Sequence, residues 1–395
     1  MIDNATLEWF DEQILAHNDQ AGNSLYSGKL GSILYFFEAG RIKGEIFTDH
    51  AEALLAELFE EMNAAETVFT DFSLANGYVG LPLLVNYLVK EGFIDLGVDQ
   101  EFYDLDLLIA EKAFLELTKD NTDFLYGTIG HLHYFSQRNL SPFIKDLLQR
   151  MLKEIFKREI IDEQGLRIKN AFYHKKEGEE EFINLGLAHG NLSLGLILLN
   201  LIDRDPDFSW LIPKAKLMAD YLICKLSYKT GDDERIRSLF PSIINNEGLA
   251  IFNNIPVAWC YGDLAVCLFL YELGRLSGDQ SYHHKAEEIG LFSFSETAIH
   301  REVVDNPFFC HGTSGIAQLY KSLYNISGNP IYLKAYELWI GWTWEMMESN
   351  YLREPPELLP SSEVLSVIEG FVGVALVLNG YQTEIDRWSS IFILK

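Results

Sequence analysis

Basic residues are scarce in this chain. Its 395 residues include 31 Lys and Arg against 58 Asp and Glu, a formal net charge of −27. A surface of that sign repels phosphate backbones and anionic headgroups, so neither nucleic acid nor a charged membrane surface is an expected partner. It suits solubility and cationic partners. Cysteine is scarce as well: Cys224, Cys260, Cys267 and Cys310 are the full complement. That is too few for a disulfide scaffold, and the four read as thiols or metal ligands. No apolar run reaches the ~18 residues of a spanning helix. Met1-Ile2-Asp3-Asn4 has neither the basic nor the apolar region of a secretory signal. A cytoplasmic protein that is not integral to the membrane is therefore expected. Disorder is excluded too, since 48% of the residues are hydrophobic and 23% charged, an ordinary globular balance.

What the sequence does have is a repeat. A short G-x-x-G element followed at once by an apolar segment recurs seven times. The copies begin at Gly28, Gly77, Gly127, Gly190, Gly262, Gly312 and Gly370. The second glycine is Gly31, Gly80, Gly130, Gly315 or Gly373; the fourth copy is looser, running from Gly190 to Gly195, and the fifth keeps only Gly262. The spacings are 49, 50, 63, 72, 50 and 58 residues. A period near 50 fits two helices and their loops. The apolar residues after each glycine fall at helical intervals, as Leu192, Leu196 and Leu199 do. Residues 142–160 read as a further helix between motifs.

Seven such units predict a closed ring of helical hairpins with the glycine turns gathered at one end; an open solenoid, which usually has a shorter repeat, is the rival. The expected organisation is all-α, one domain over 1–395. The two long spacings mark insertions at 159–186 and 228–258, polar and glycine-bearing, expected as surface loops or short β excursions, with a hairpin around residues 166–176.

The reactive side chains cluster on equivalent positions of this repeat. The fourth copy carries His189 in LAHG, the fifth Cys260 and Tyr261 in WCYG, the sixth Cys310 and His311 in CHG. Cys260, Cys310 and His311 make a Cys₂His set, and three ligands with an open fourth position is the catalytic count for zinc. The competing reading of any lone Cys is a small buried apolar side chain, and that reading is kept for Cys224 and Cys267. His131 and His133 follow the third turn and are placed to line the cavity, with nothing in the sequence that assigns them a role. His283 and His284 read as surface.

LAHG, WCYG and CHG on a glycine repeat of about 50 residues resemble the lanthionine synthetase C-like family, the lanthipeptide cyclases, over residues 20–380 or so. The resemblance implies an α/α toroid of seven inner and seven outer helices. It implies one zinc ion on Cys260, Cys310 and His311. It also implies a dehydrated precursor peptide as substrate, whose cysteine thiols add to dehydroalanine or dehydrobutyrine to close thioether rings. His189 is implied as the proton-transfer residue and Asp123, four residues before Gly127, as its orienting partner, the alternative for Asp123 being a helix cap. Tyr261 is implied as a donor to the developing oxyanion, or else as packing. A transient complex with a dehydratase and an exporter, and a monomer otherwise, complete the expectation. One position departs: the family commonly has Arg four residues before the WCYG cysteine, where this chain has Pro256, the nearest upstream arginines being Arg235 and Arg237. Two alternatives share much of this reading. One is addition of a free thiol such as glutathione to dehydrated residues; the other is a non-catalytic peptide-binding toroid. Prenyltransferase β-subunits and toroidal glycosidases fit less well, needing an Asp zinc ligand or a carboxylate pair.

Overall fold

The structure is a computed structural model, and it describes residues 4–18, 22–64, 68–169, 182–227, 238–252, 255–353 and 361–394. It is mostly helical. Two kinds of helix alternate along the chain, and their burial separates them.

Helices of the first kind follow the motif glycines and are covered on all sides. In Lys29–Lys43 every residue from 30 to 39 is buried, and in Phe371–Thr383 every residue from 371 to 380. Asn191–Arg204 and Asp263–Ser277 are similarly enclosed. A helix that is apolar all round has to be surrounded by other elements. Helices of the second kind bury a single stripe. Pro142–Phe156 buries Ile144, Leu147, Leu148, Met151, Leu152 and Ile155, an i, i+3, i+4, i+7 pattern, and leaves its other face polar. Its start is set by Pro142 in the first turn and by Ser141, whose side chain accepts the Ile144 N–H.

The chain divides into two compact units, residues 1–104 with 306–318 and 334–395, and residues 105–305 with 319–333. In the first, Asn4–His17 packs on Phe371–Thr383, which packs on Lys29–Lys43, which in turn meets Glu45–Asn63 and Gly80–Lys90. In the second, Thr128–Gln137 packs on Asn191–Arg204, which packs on Asp263–Ser277, with Pro142–Phe156, Ile212–Cys224 and Gln280–Ser295 laid against them.

The strands are few and short. Glu159–Asp162 pairs antiparallel with Gly165–Ile168. A three-stranded sheet runs Ile183–Asn184, Ile243–Ile244, Ala250–Ile251. Two sequence expectations shift here. The helix expected over 142–160 ends at Phe156. The Arg158 guanidinium takes up the carbonyls of Glu154, at 2.9 Å, and Leu117, closing the helix end, and the β-branched Ile160-Ile161 pair then enters the strand. The described hairpin turns at residues 163–164, whereas most of the one expected around 166–176 falls on residues 170–181, which with residues 228–237 lie outside the described residues.

Most of the motif turns share one construction. In four of them an Asx side chain six residues before the glycine accepts the backbone N–H two residues on: Asp71 from Ser73 at 2.7 Å, Asn121 from Asp123 at 3.2 Å, Asn184 from Gly186 at 2.8 Å and Asn306 from Phe308 at 3.0 Å. The chain then loops back. The N–H after the motif glycine donates to the carbonyl of that same position, Tyr78 to Asp71 at 3.0 Å, Thr128 to Asn121 at 3.1 Å and Thr313 to Asn306 at 3.1 Å. A Cβ on Gly127 would lie 2.3 Å from Asn121 Oδ1, and one on Gly312 would lie 2.4 Å from the Asn306 carbonyl. Close backbone return, rather than an unusual dihedral, is what reserves these places for glycine. Successive turns within a unit are then pinned to one another. Val367 N–H donates to Tyr26 O at 2.8 Å and Cys310 N–H to Ile368 O at 2.6 Å. Among the described residues no helix is long and apolar enough to cross a membrane.

Candidate metal centre and acid–base pair

The fourth and fifth turns belong to the second unit. Strand Ile183–Asn184 delivers the chain into residues 185–190, and His189 emerges half-buried just before Gly190. Its Nδ1 lies 2.7 Å from Asp123 Oδ2. Asp123 is only 1% exposed. Its other oxygen, Oδ1, accepts the Tyr126 backbone N–H at 2.8 Å. The turn-forming contact and the contact with His189 thus fall on different oxygens of one carboxylate. An Nδ1–H donated to a carboxylate fixes the imidazole tautomer and leaves Nε2 as the proton-accepting nitrogen. The Tyr126 ring lies over His189, centroids 6.2 Å apart and planes at 20°.

Cys260 is buried, as is Trp259 before it, whereas Tyr261 is half-buried. The N–H groups of Leu187 and Ala188, the two residues before His189, both donate to the Cys260 carbonyl, at 2.6 and 3.2 Å. Gly186 makes this approach possible, since a Cβ there would sit 2.5 Å from the same oxygen. The turn bearing the imidazole is therefore bolted to the turn bearing the thiol. Gly262 closes the fifth turn at φ +112°, a backbone that favours glycine, and a Cβ there would also meet the Pro256 carbonyl at 2.6 Å. The Pro256 carbonyl thus lies against the motif glycine of its own turn; Arg235 and Arg237 lie outside the described residues.

Asp263, the next residue, is fully buried and opens the helix Asp263–Ser277. Its carboxylate accepts the N–H groups of Leu239, at 3.0 Å, and Phe240, at 3.2 Å, and the Ser238 hydroxyl at 3.0 Å. Burial pushes this carboxyl up to about 7, with the three donors pulling the other way. Asp263 ties the second insertion to the start of the fifth enclosed helix.

The sixth turn belongs to the first unit. Gly312 N–H donates to the Phe308 carbonyl at 2.9 Å and holds residues 308–312 in a tight loop. Within it Cys310 is buried, and its Sγ lies 3.9 Å from His311 Nε2. The sulfur beside it holds the His311 imidazole above its ordinary pKa, against burial. Two ligands on a tetrahedral zinc, at ~2.3 Å for sulfur and ~2.0 Å for nitrogen, stand ~3.6 Å apart. The Cys310–His311 pair is close to that spacing. Cys260, Cys310 and His311 bring two thiols and one imidazole, a donor set able to hold a metal ion. Thiolate and imidazole together suit zinc and are poor ligands for magnesium or calcium.

The remaining candidates go elsewhere. His131 is buried with Nδ1 2.9 Å from the Gly127 carbonyl, and His133 is buried edge-on to Phe124. Cys267 is buried in the enclosed helix Asp263–Ser277, and burial pushes its thiol up. Cys224, expected to be buried, is exposed in the last turn of Ile212–Cys224, where the helix face has turned away from its neighbours. His284 is exposed as expected, whereas His283 is half-buried against the Tyr271 ring. Gly195 is no turn residue: it lies within Asn191–Arg204, and a Cβ there would meet the Phe269 ring at 2.8 Å. Tyr126, Gly186 and Asp263 were not singled out by sequence reasoning, though Tyr126 and Asp263 adjoin motif glycines and Gly186 lies four residues before one.

A family model for the lanthionine synthetase C-like protein matches residues 19–393, a span that includes all seven turns. Among solved structures, nisin cyclase matches with a TM-score of 0.77 at 16% sequence identity, over 99% of this chain and 98% of that one. At this identity the likeness shows the fold, and the fold is the all-α, α/α-toroid class expected from the repeat. With the family model spanning nearly the whole sequence, the chain belongs to the lanthionine synthetase C-like protein family.

Proposed function

We propose that this chain is a zinc-dependent lanthionine cyclase, closing thioether rings within a dehydrated precursor peptide. Family membership supports the reaction class, and the fold shared with nisin cyclase supports ring closure. The observation that carries the reading is the Asp123–His189 pair on a turn bonded through two N–H groups to the carbonyl of Cys260. It supports the reading because His189, oriented by Asp123, would then transfer a proton from the framework that carries the Cys260 thiol. The single-domain organisation over 1–395 belongs to the same proposal, supported by one family model spanning 19–393.

Cys260, Cys310 and His311 would hold the zinc. When bound, the ion supplies the Lewis acidity that keeps a peptide thiol as thiolate near neutral pH. The rest is work for the chain's own side chains. Addition forms the S–Cβ bond, while the electron pair of the Cα=Cβ bond moves onto the adjoining carbonyl. His189 takes the proton that the thiol gives up onto Nε2 and delivers it to Cα, which restores the carbonyl. Asp123, bonded to Nδ1, keeps the ring oriented and offsets its charge while it is protonated. The half-buried Tyr261 is assigned to the enolate oxygen as a hydrogen-bond donor.

The test has two parts. Purified protein is expected to carry close to one zinc per chain, lost in Cys310→Ala. Incubated with a dehydrated peptide bearing one cysteine and one dehydrobutyrine, the parent is expected to leave the peptide mass unchanged while making its thiol resistant to alkylation. Metal-supplemented parent without zinc, or a thiol that stays open to alkylation, would overturn the reading. A peptide that gains the mass of an added free thiol would shift it to intermolecular addition.

A further inference from the structure

Beside the Cys310–His311 turn, the first unit presents an aromatic floor. Phe371, the first residue of Phe371–Thr383, is buried, and three half-buried rings meet it. Trp9, from Asn4–His17, lies 5.2 Å away at 62° between planes; Tyr351 lies 4.9 Å away at 80°; Phe308 lies 6.0 Å away at 49°. Phe308 and Tyr351 are themselves 6.4 Å apart. Four separate stretches of chain converge here, and three of the rings keep part of their surface open. Elsewhere Phe36, Tyr35, Tyr134, Trp259 and Trp388 are almost wholly enclosed.

The floor is fixed to the metal-ligand turn from both sides. The Phe308 carbonyl accepts the Gly312 N–H, closing the loop that contains Cys310 and His311. Cys310 N–H donates to Ile368 O, three residues before Phe371. Phe308 is two residues from Cys310 along the chain, a span of at most ~7 Å.

We propose that Phe308, Tyr351 and Trp9 form a subsite for an apolar side chain on the residue flanking the peptide's reacting cysteine. This rests on the cyclase reading, because that reading places the cysteine thiol at Cys310 and His311. A flanking residue is one peptide step from the thiol's own Cα, ~3.8 Å. Its side chain then falls within reach of Phe308. Among the described residues the four rings of the floor carry no charge, and the exposed Glu369, two residues before Phe371, acts on His311; the rings themselves recognise by area and shape, with aromatic faces that accept aliphatic or aromatic groups. The consequence is a preference in substrate sequence: an apolar neighbour to the cysteine promotes binding without altering the chemistry.

The experiment uses the full zinc-loaded chain and three short dehydrated peptides with Leu, Gly or Lys next to the cysteine. KM and kcat are measured on these. Affinity is measured by fluorescence anisotropy on non-reacting versions with Ser in place of Cys. The parent is expected to favour Leu over Gly by about tenfold in KM and in affinity, with kcat within twofold. Phe308→Ala and Tyr351→Ala are expected to bring that ratio close to one, and Phe308→Leu to keep part of it. Zinc content and thermal midpoint identify any variant that has lost its fold, and the parent's own preference remains readable in that event. Equal handling of Leu and Gly by the parent, a preference for Lys, absence of binding, or zinc-loaded variants that lose kcat equally on every peptide would each overturn the proposal. If the parent leaves the thiols free yet the Ser peptides bind with the Leu preference, the cyclase reading fails and the subsite stands.

Discussion

Asp123 divides its carboxylate between two tasks, and the division makes them separable. Oδ1 takes the Tyr126 N–H and shapes the third turn; Oδ2 takes His189 Nδ1. Asp123→Asn keeps a carbonyl oxygen for Tyr126 and puts an amide where the imidazole N–H was received. The amide favours the other tautomer, with the proton on Nε2 and none on Nδ1, and it no longer offsets a protonated ring. Turnover on a dehydrated peptide is expected to fall ~100-fold or more. Zinc content is expected to be unchanged and stability to move by no more than ~1 kcal/mol. Asp123→Ala loses the turn contact too, and should cost a further ~1 kcal/mol of stability. Steady-state rates beside denaturant midpoints decide the matter, and an Asn variant at parental rate would remove Asp123 from the mechanism.

The element that repeats is a turn, and its glycines are held by the residue six positions earlier, through backbone at Gly315 and Gly373 and through an Asx side chain as well at Gly77 and Gly127. Gly315 is the sharpest case. A Cβ there would stand 1.7 Å from the Phe309 carbonyl oxygen and 2.8 Å from its carbon. Neither atom can move without displacing residues 309–311, the loop that carries Cys310 and His311. Gly341 offers the contrast: it lies exposed within Pro330–Met347, and a Cβ there would meet nothing inside 4 Å. Gly315→Ala is therefore expected to destabilise the chain by ~3 kcal/mol or more. Gly341→Ala should stabilise it by ~0.5–1 kcal/mol, by lowering the backbone entropy of the unfolded chain. Urea midpoints of the two variants against the parent provide the comparison. A neutral Gly315→Ala would mean the turn can open without cost, and the account of the repeat would fail.

At the scale of the whole molecule, the fold was legible because the steric demand of the turn recurs, and a recurring demand leaves a period in the sequence. The candidate metal donors stood out because the same register carries them, as WCYG and CHG. Less legible were contacts that join distant residues without repeating. Gly186 is set by a carbonyl 74 residues on, and Asp263 by donors at 238–240. Even the Asx residues, which do recur, escaped notice, because Gly22, Pro256 and Val364 take their place in three of the seven copies. Net charge, by contrast, is read directly, and it carries its own prediction. At −27 the chain attracts cationic peptides over a distance set by salt, ~30 Å at 0.01 M and ~8 Å at 0.15 M. The kcat/KM of a lysine-bearing dehydrated peptide is expected to fall about tenfold across that range, and that of an acidic peptide to rise. Exposed ion pairs such as Lys157–Glu154 weaken over the same range, but each holds too little to reverse the trend in the folded state. The opposite signs for the two peptides separate steering from any general effect of salt on the enzyme, which would move both together. If both peptides respond alike, the acidic surface plays no part in bringing substrate to the site, and the charge serves solubility alone.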